Sequence, residues 1–227
     1  LGLTTITFKA TSKVETIGSE AFARCVLLRE ITLPASLKTL KDKNGEVLVF
    51  DGCAALREIN VENGSTRFKA IDGILYGLND DGAITELCFC PKGYSAHDGA
   101  LTIPSTVTRI WTGAFYGTTE LKKVVFDDNA DIVLSSKVFS NCHALEEVVL
   151  PKGLKTIPTN LFTLCPKLAS IKVPNTVVKI ARNAFSNLAG LTNLEFERAD
   201  DANKSTLVVE QNALASLTAL KTLTLSD

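Results

Sequence analysis

The sequence predicts a repeat solenoid: a curved right-handed coil, mostly β with short turns and 3-10 segments, stacking one parallel ladder of about nine strands. Three observations carry that expectation. A Phe recurs as Phe22, Phe50, Phe115, Phe139, Phe162 and Phe185. A Leu follows each of them by six residues, as Leu28, Leu56, Leu121, Leu145, Leu168 and Leu191. An apolar pair then closes each unit: Ile31 with Leu33, Ile59 with Val61, Val124 with Phe126, Val148 with Leu150, Ile171 with Val173, and Leu194 with Phe196.

Each closing segment, such as "LREITLP", alternates apolar and polar side chains, which is the period of a short strand with one buried face. Proline ends it at Pro34, Pro151 and Pro174. The step from Phe139 to Phe162 to Phe185 is 23 residues, inside the ~20–29 range of leucine-rich repeats. One such unit cannot bury its own apolar face, whereas stacked units can. The turn around each Phe, with a second apolar pair such as Val14 and Ile17 or Leu154 and Ile157, is expected to close the coil on the side away from the ladder.

Along the chain, Leu3, Ile6 and Phe8 match only the second half of a unit, so the coil is expected to begin mid-repeat. The last unit keeps the slots with Leu214, Leu217, Leu220, Leu223 and Leu225. Neither end reads as a polar cap, so the native protein is expected to continue past one or both ends. The whole of 1–227 is read as a single solenoid domain with an irregular interruption at about 62–104. There, "FKAIDGILYGLNDDGAITELCFCPKG" reads as two strands around an Asn-Asp-Asp-Gly turn. Ile84, Leu87 and Phe89 repeat the strand spacing and are placed as a diverged rung, with a surface excursion around 92–100 absorbing the surplus length.

Composition excludes several function classes. Lys and Arg number 24 against 25 acidic residues, a net charge of -1, so the basic excess that nucleic-acid binding exploits is missing. No run approaches the ~18 apolar residues of a spanning helix, and no membrane span is predicted. Two histidines leave little for acid–base or metal chemistry, and no phosphate-cradling or metalloprotease motif occurs. Ser95, His97 and Asp98 share one loop, where the members of a catalytic triad would have to converge from separate elements. The chain is read as a non-enzyme, with no catalytic residues, no metal and no cofactor.

Cys25, Cys53, Cys142 and Cys165 occupy one repeat slot that Leu188, Leu217 and Thr118 also fill. A slot that accepts Leu is a packing slot, so free buried thiols are expected rather than bridges. Cys88 and Cys90 flank Phe89 and are expected to share the other face of its strand; two thiols alone make a weak metal signal.

At this level of detail, "VETIGSEAFARCVLLREITLPASLKTL" and "LTIPSTVTRIWTGAFYGTTELKKVVF" resemble the BspA-like leucine-rich repeats of bacterial surface proteins. The "AIDGILY" and "CPKG" stretches look like that family's usual interruption. Trp111 and Thr118 depart from its pattern, standing where Gly and Cys are expected. The resemblance implies a secreted or cell-surface location and a role in adhesion, with extracellular-matrix or host proteins as partners.

Candidate binding residues come from what the repeat does not require. Ten of the aromatic residues fill repeat slots, whereas Phe68, Tyr76, Tyr94, Trp111 and Tyr116 all fall between 68 and 116. Trp111 and Tyr116 stand where other units carry small residues, in slots read as outward-facing. Two accounts are open: the rings fasten the interruption to the solenoid, or they form a binding patch, since clustered exposed aromatics and Arg mark interfaces. The candidate site is therefore Tyr94, Arg109, Trp111 and Tyr116, for a protein partner or, by ring stacking, a glycan; the remaining alternative is a purely structural spacer in a larger surface protein, with no ligand at all. The outward columns of the ladder, at Lys123, Val125, Glu147 and Val149, are the fallback surface.

Overall fold

The computed structural model describes residues 2–40, 49–96, 99–127, 132–197, 206–221 and 223–224. Among these the regular elements are short strands. β1 (Glu30–Leu33) and β2 (Glu58–Val61) pair in parallel, Ile31 beside Ile59 and Leu33 beside Val61. After the interruption the same ladder resumes as six parallel strands: β6 (Ala100–Ile103), β8 (Lys123–Phe126), β10 (Glu147–Val149), β12 (Ser170–Val173), β14 (Asn193–Phe196) and β16 (Leu223–Thr224). The parallel solenoid expected from the repeat is present. Its ladder comes in blocks of two and six strands rather than as one run of about nine.

The opposite side of the coil carries two-residue strands at the second apolar position. β7 (Arg109–Ile110) pairs with β9 (Val133–Leu134), and β11 (Thr156–Ile157), β13 (Lys179–Ile180) and β15 (Val208–Val209) form a further parallel set. Between the two sides lies the turn around each Phe. Its backbone turns left-handed two residues before and two after the ring, as at Gly113 (φ 64°) and Gly117 (φ 73°), or Asn183 (φ 56°) and Asn187 (φ 58°). Gly and Asn tolerate that region best, which is why they recur beside the Phe. The turns stack through backbone bonds: Phe115 N–H donates to Val138 O at 3.0 Å and Phe139 N–H to Leu161 O at 3.0 Å. Beneath them the rings form a column, with centroids 5.2 Å apart for Phe115 and Phe139, 5.6 Å for Phe139 and Phe162, and 5.7 Å for Phe162 and Phe185.

The interruption is a three-stranded antiparallel unit, β3 (Phe68–Ile71), β4 (Ile74–Leu78) and β5 (Ile84–Phe89). The expected Asn79–Gly82 turn joins β4 to β5. A second turn, Asp72-Gly73, joins β3 to β4, with both residues at positive φ (50° and 79°) as a two-residue hairpin requires. The sheet is a partition. Leu75, Cys88 and Phe89 pack into the N-terminal core with Phe50 and Phe68, while Ile74, Tyr76 and Leu87 pack into the C-terminal core. Alternation along β4, from Ile74 to Leu75 to Tyr76, thus feeds two cores, and β4 is buried on both faces; on β5 the alternation breaks at Phe89, which stays with Cys88 in the first core. Cys88 joins the first core and Cys90 the second, so they do not share a face as expected.

Two register assignments need correction. β5 is not a rung of the main ladder: it pairs in parallel with β7, Leu87 beside Ile110, on the opposite side of the coil. The rung is β6, with Leu101 beside Val124 and Ile103 beside Phe126. Phe89 instead continues the ring column, its centroid 5.4 Å from Phe50. Nor is 92–100 a surface excursion throughout, because Tyr94 and Ala96 are each 8% exposed within the C-terminal core. At the N-terminal end, Ile6 and Phe8 pack against the core without forming a strand.

Candidate functional site

The four candidate residues do not form one patch. The Trp111 slot faces inward in this unit, and the residue is only 3% exposed. Its neighbour on one side is the hairpin unit instead of a regular coil: Phe68 meets it edge-on at 6.2 Å between centroids, and the Arg67 guanidinium lies 5.9 Å from its ring. Arg67 is itself fixed by Glu86 at 2.6 Å and by donating to Leu78 O at 3.0 Å. A side chain at Gly77 would collide with this pair, a Cβ there falling 2.7 Å from Glu86 Oε2 and 2.8 Å from Arg67 Nη1. Tyr94 is buried with Tyr76 in the C-terminal core. Arg109 is exposed on β7, in register with Glu86 and Val133. His97 and Asp98 of the rejected triad lie outside the described residues, as does Leu225 of the last unit.

Of the three candidate rings Tyr116 alone is exposed, at 38%, and it stands on the rim of a notch. The notch follows from a local change in chain length. Regular units place the ring five positions after the inner apolar residue, from Ile110 to Phe115 and from Ile157 to Phe162; in the hairpin unit Phe89 comes only two positions after Leu87. Three turn residues are therefore missing above Phe50 and Phe89. The vacated space, about 410 Å³, is lined by those two rings, Asp51, Lys92, Thr112 and Tyr116, and extends along the turns to Asn160 and Thr163. Lys92 crosses it, 3.3 Å from Asp51 and 5.7 Å from the centre of the Tyr116 ring. Asn141 donates to the Tyr116 hydroxyl at 3.1 Å. The ring is thus held in place by Lys92 and Asn141.

On the ladder, the fallback residues sit side by side: Lys123 and Glu147 pair at 2.8 Å, with Val125 and Val149 in register beside them. Further along, Lys172 approaches Glu195 at 3.8 Å and Glu197 at 3.3 Å. These charges satisfy one another. Exposed pairs of this kind contribute ~0–1 kcal/mol each, and they leave Val149, 37% exposed, as the apolar element of that face.

With this architecture in place, comparison with known families is decisive. The model of the BspA-type leucine-rich repeat region matches in six copies over residues 2–71 and 94–221. The chain belongs to the BspA-type leucine-rich repeat family. Among solved structures, it is similar to the pneumococcal vaccine antigen PcpA, with 26% identity and a TM-score of 0.76 over 96% of this chain and 50% of that one. It also resembles a leucine-rich cell surface protein from Faecalibacterium prausnitzii, with 27% identity and a TM-score of 0.66 over 83% of this chain and 52% of that one. A leucine-rich repeat protein from Eubacterium ventriosum shares the fold at 20% identity and a TM-score of 0.60, over 87% of this chain and 55% of that one. The chain spans about half the length of each. No curated protein sequence matches it. Among the described residues no helix is long and apolar enough to cross a membrane.

In this BspA-type chain the repeat cysteines do more than fill space. Cys53 Sγ donates to Phe22 O at 3.0 Å, Cys142 Sγ to Phe115 O at 3.0 Å and Cys165 Sγ to Phe139 O at 2.9 Å. Each thiol thus satisfies a carbonyl of the preceding Phe turn, a service that Leu in the same slot cannot provide. All six cysteines are free, five of them buried and Cys25 partly exposed. Burial pushes the Cys53 and Cys90 thiols up, and a hydrogen bond with Cys142 together with burial does the same to Cys165. Thiol titration should therefore label Cys25 first in the native protein and count six thiols after denaturation without reductant. Three disulfides would contradict the assignment.

Proposed function

We propose that this chain is a secreted or cell-surface scaffold, bacterial in origin, that binds a protein partner of host or matrix type through the notch beside Tyr116. Its BspA-type repeats and its likeness to a cell surface protein support the location and the scaffold role. The observation that carries the contact site is the pre-held Tyr116 ring above a floor of Phe50 and Phe89. Interface energy concentrates in such anchors, an aromatic ring beside an apolar pocket with polar groups at its rim. A glycan platform finds less support, because Trp111 and Tyr94 are buried and one exposed ring remains of the cluster. The scaffold carries no proposed chemistry of its own and is read as a non-enzyme, extending as one solenoid domain over 1–227.

Surface plasmon resonance against immobilised matrix proteins tests the reading. Tyr116→Ala should weaken the binding of a responding protein by about thirtyfold or more while leaving the melting temperature unchanged, since the exposed ring contributes little to the core. The loss corresponds to ~2 kcal/mol, the scale of an interface hot spot. Unchanged affinity in Tyr116→Ala with loss in Val149→Asp would move the site to the ladder. Binding on a glycan array alone would replace the protein partner.

A further inference from the structure

The main ladder is broken between β2 and β6, and the break is chemically asymmetric. β6 pairs with β8 on one side and is the edge of its sheet. Lys123 N–H donates to Gly99 O at 2.9 Å, so the odd-numbered residues of β6 face β8. By the alternation of a parallel ladder, the amides and carbonyls of Ala100 and Thr102 point the other way. On β2, by contrast, the outward amide of Ile59 is already taken, donating to Gly73 O of the β3–β4 turn at 2.9 Å. The inward slot of the edge rung is also incompletely covered. Leu101 is half-buried, whereas its counterparts Val124, Val148, Ile171 and Leu194 are at most 4% exposed. Edge strands are usually guarded by Lys, Pro or an inward charge. The Ala-Leu-Thr-Ile of β6 holds none of these.

A groove of about 790 Å³ lies along this edge, walled by Arg57, Glu58 and Asn60 on one side and by Ala100, Leu101 and Thr102 on the other. Asp72 and Gly73 of the β3–β4 turn also line it. The Glu58 and Asp72 carboxylates are exposed at the groove, and the Arg57 guanidinium leans toward Glu120 at 4.0 Å.

We propose that this groove is a strand-addition site, taking an extended segment of a partner protein that pairs with the free edge of β6, places apolar side chains beside Leu101 and presents Lys or Arg to Glu58 and Asp72. Main-chain hydrogen bonds supply affinity in such additions and alternate side chains supply selectivity. The site is separate from the Tyr116 notch and does not depend on it.

A synthetic peptide of residues 167–174, KLASIKVP, is a suitable probe. In the fold its Ile171 and Val173 face the core and its Lys172 faces out. In free protein the Thr102 amide should exchange with solvent at an unprotected rate, and saturating peptide should slow it by about tenfold or more. Thr102→Pro removes the donor that points into the groove while leaving the bonds of β6 to β8 in place, so it should abolish peptide binding. Tyr116→Ala should leave that binding intact, and Lys172→Glu in the peptide should weaken it by about tenfold. The proposal is overturned if the Thr102 amide is as protected in the free protein as that of Val125. It is equally overturned if the peptide leaves Thr102 exchange unchanged, or binds Thr102→Pro as well as wild type. Exchange is read on the wild-type chain, so a folding defect in the proline variant cannot mask the result.

Discussion

Phe139→Ala should cost ~3–5 kcal/mol of stability, the range for truncating a fully buried large ring. Phe139 has no exposed surface and touches rings on three sides: Phe115 at 5.2 Å, Phe162 at 5.6 Å, and Phe126 edge-on at 6.3 Å. In a solenoid each unit is stabilised chiefly by its two neighbours, so the cost of a lost ring depends on its place in the column. Removing a ring from the middle of the column weakens two interfaces at once. Phe22 stacks on Phe50 alone, at 5.9 Å, and is itself half-buried, so Phe22→Ala should cost clearly less. Urea unfolding followed by circular dichroism would measure both. Equal losses would show that the ring column does not transmit stability from unit to unit.

The same column shows what the sequence could reveal and what it could not. The period was legible because Phe, Cys and Leu are demanded by packing at every coil, and packing repeats with the coil. The position of β5 was not, because Ile84, Leu87 and Phe89 reproduce the spacing of a main-ladder strand while serving the other side of the coil. The distinguishing signal was present in the residue counts. Leu87 precedes Ile110, and Leu101 precedes Val124, each by one full 23-residue period. Three residues lost before Phe89 are regained after it, since twelve residues separate Phe89 from Leu101 where nine separate Phe115 from Val124. That compensation hides the deletion from any measurement of total length, and with it the notch. Asp72-Gly73 was a legible hairpin signal of the ordinary kind. Tyr116 was found by asking which rings the repeat does not need, but the same question placed Trp111 at the surface. The slot comparison assumed a regular coil on each side, and the hairpin unit supplies Phe68 there instead.

Trp111→Ala separates fastening from binding. Its ring is 3% exposed and contacts Phe68 and Arg67, both supplied by the interruption. Truncation leaves a cavity between β3 and β7 and uncovers Phe68, for an expected loss of ~3–5 kcal/mol. The damage should be local in origin: Phe68 and Leu75 share the N-terminal core with Trp111, so amide exchange should accelerate first along β3 and β4. Tyr116 takes its support from Lys92 and Asn141 instead. Below the lowered melting temperature, a partner bound through the notch should therefore retain affinity within a few-fold. An unchanged melting temperature with lost binding would reverse the assignment, making Trp111 the contact and leaving the interruption held to the solenoid by the β5–β7 pairing and by the packing of its sheet into the two cores.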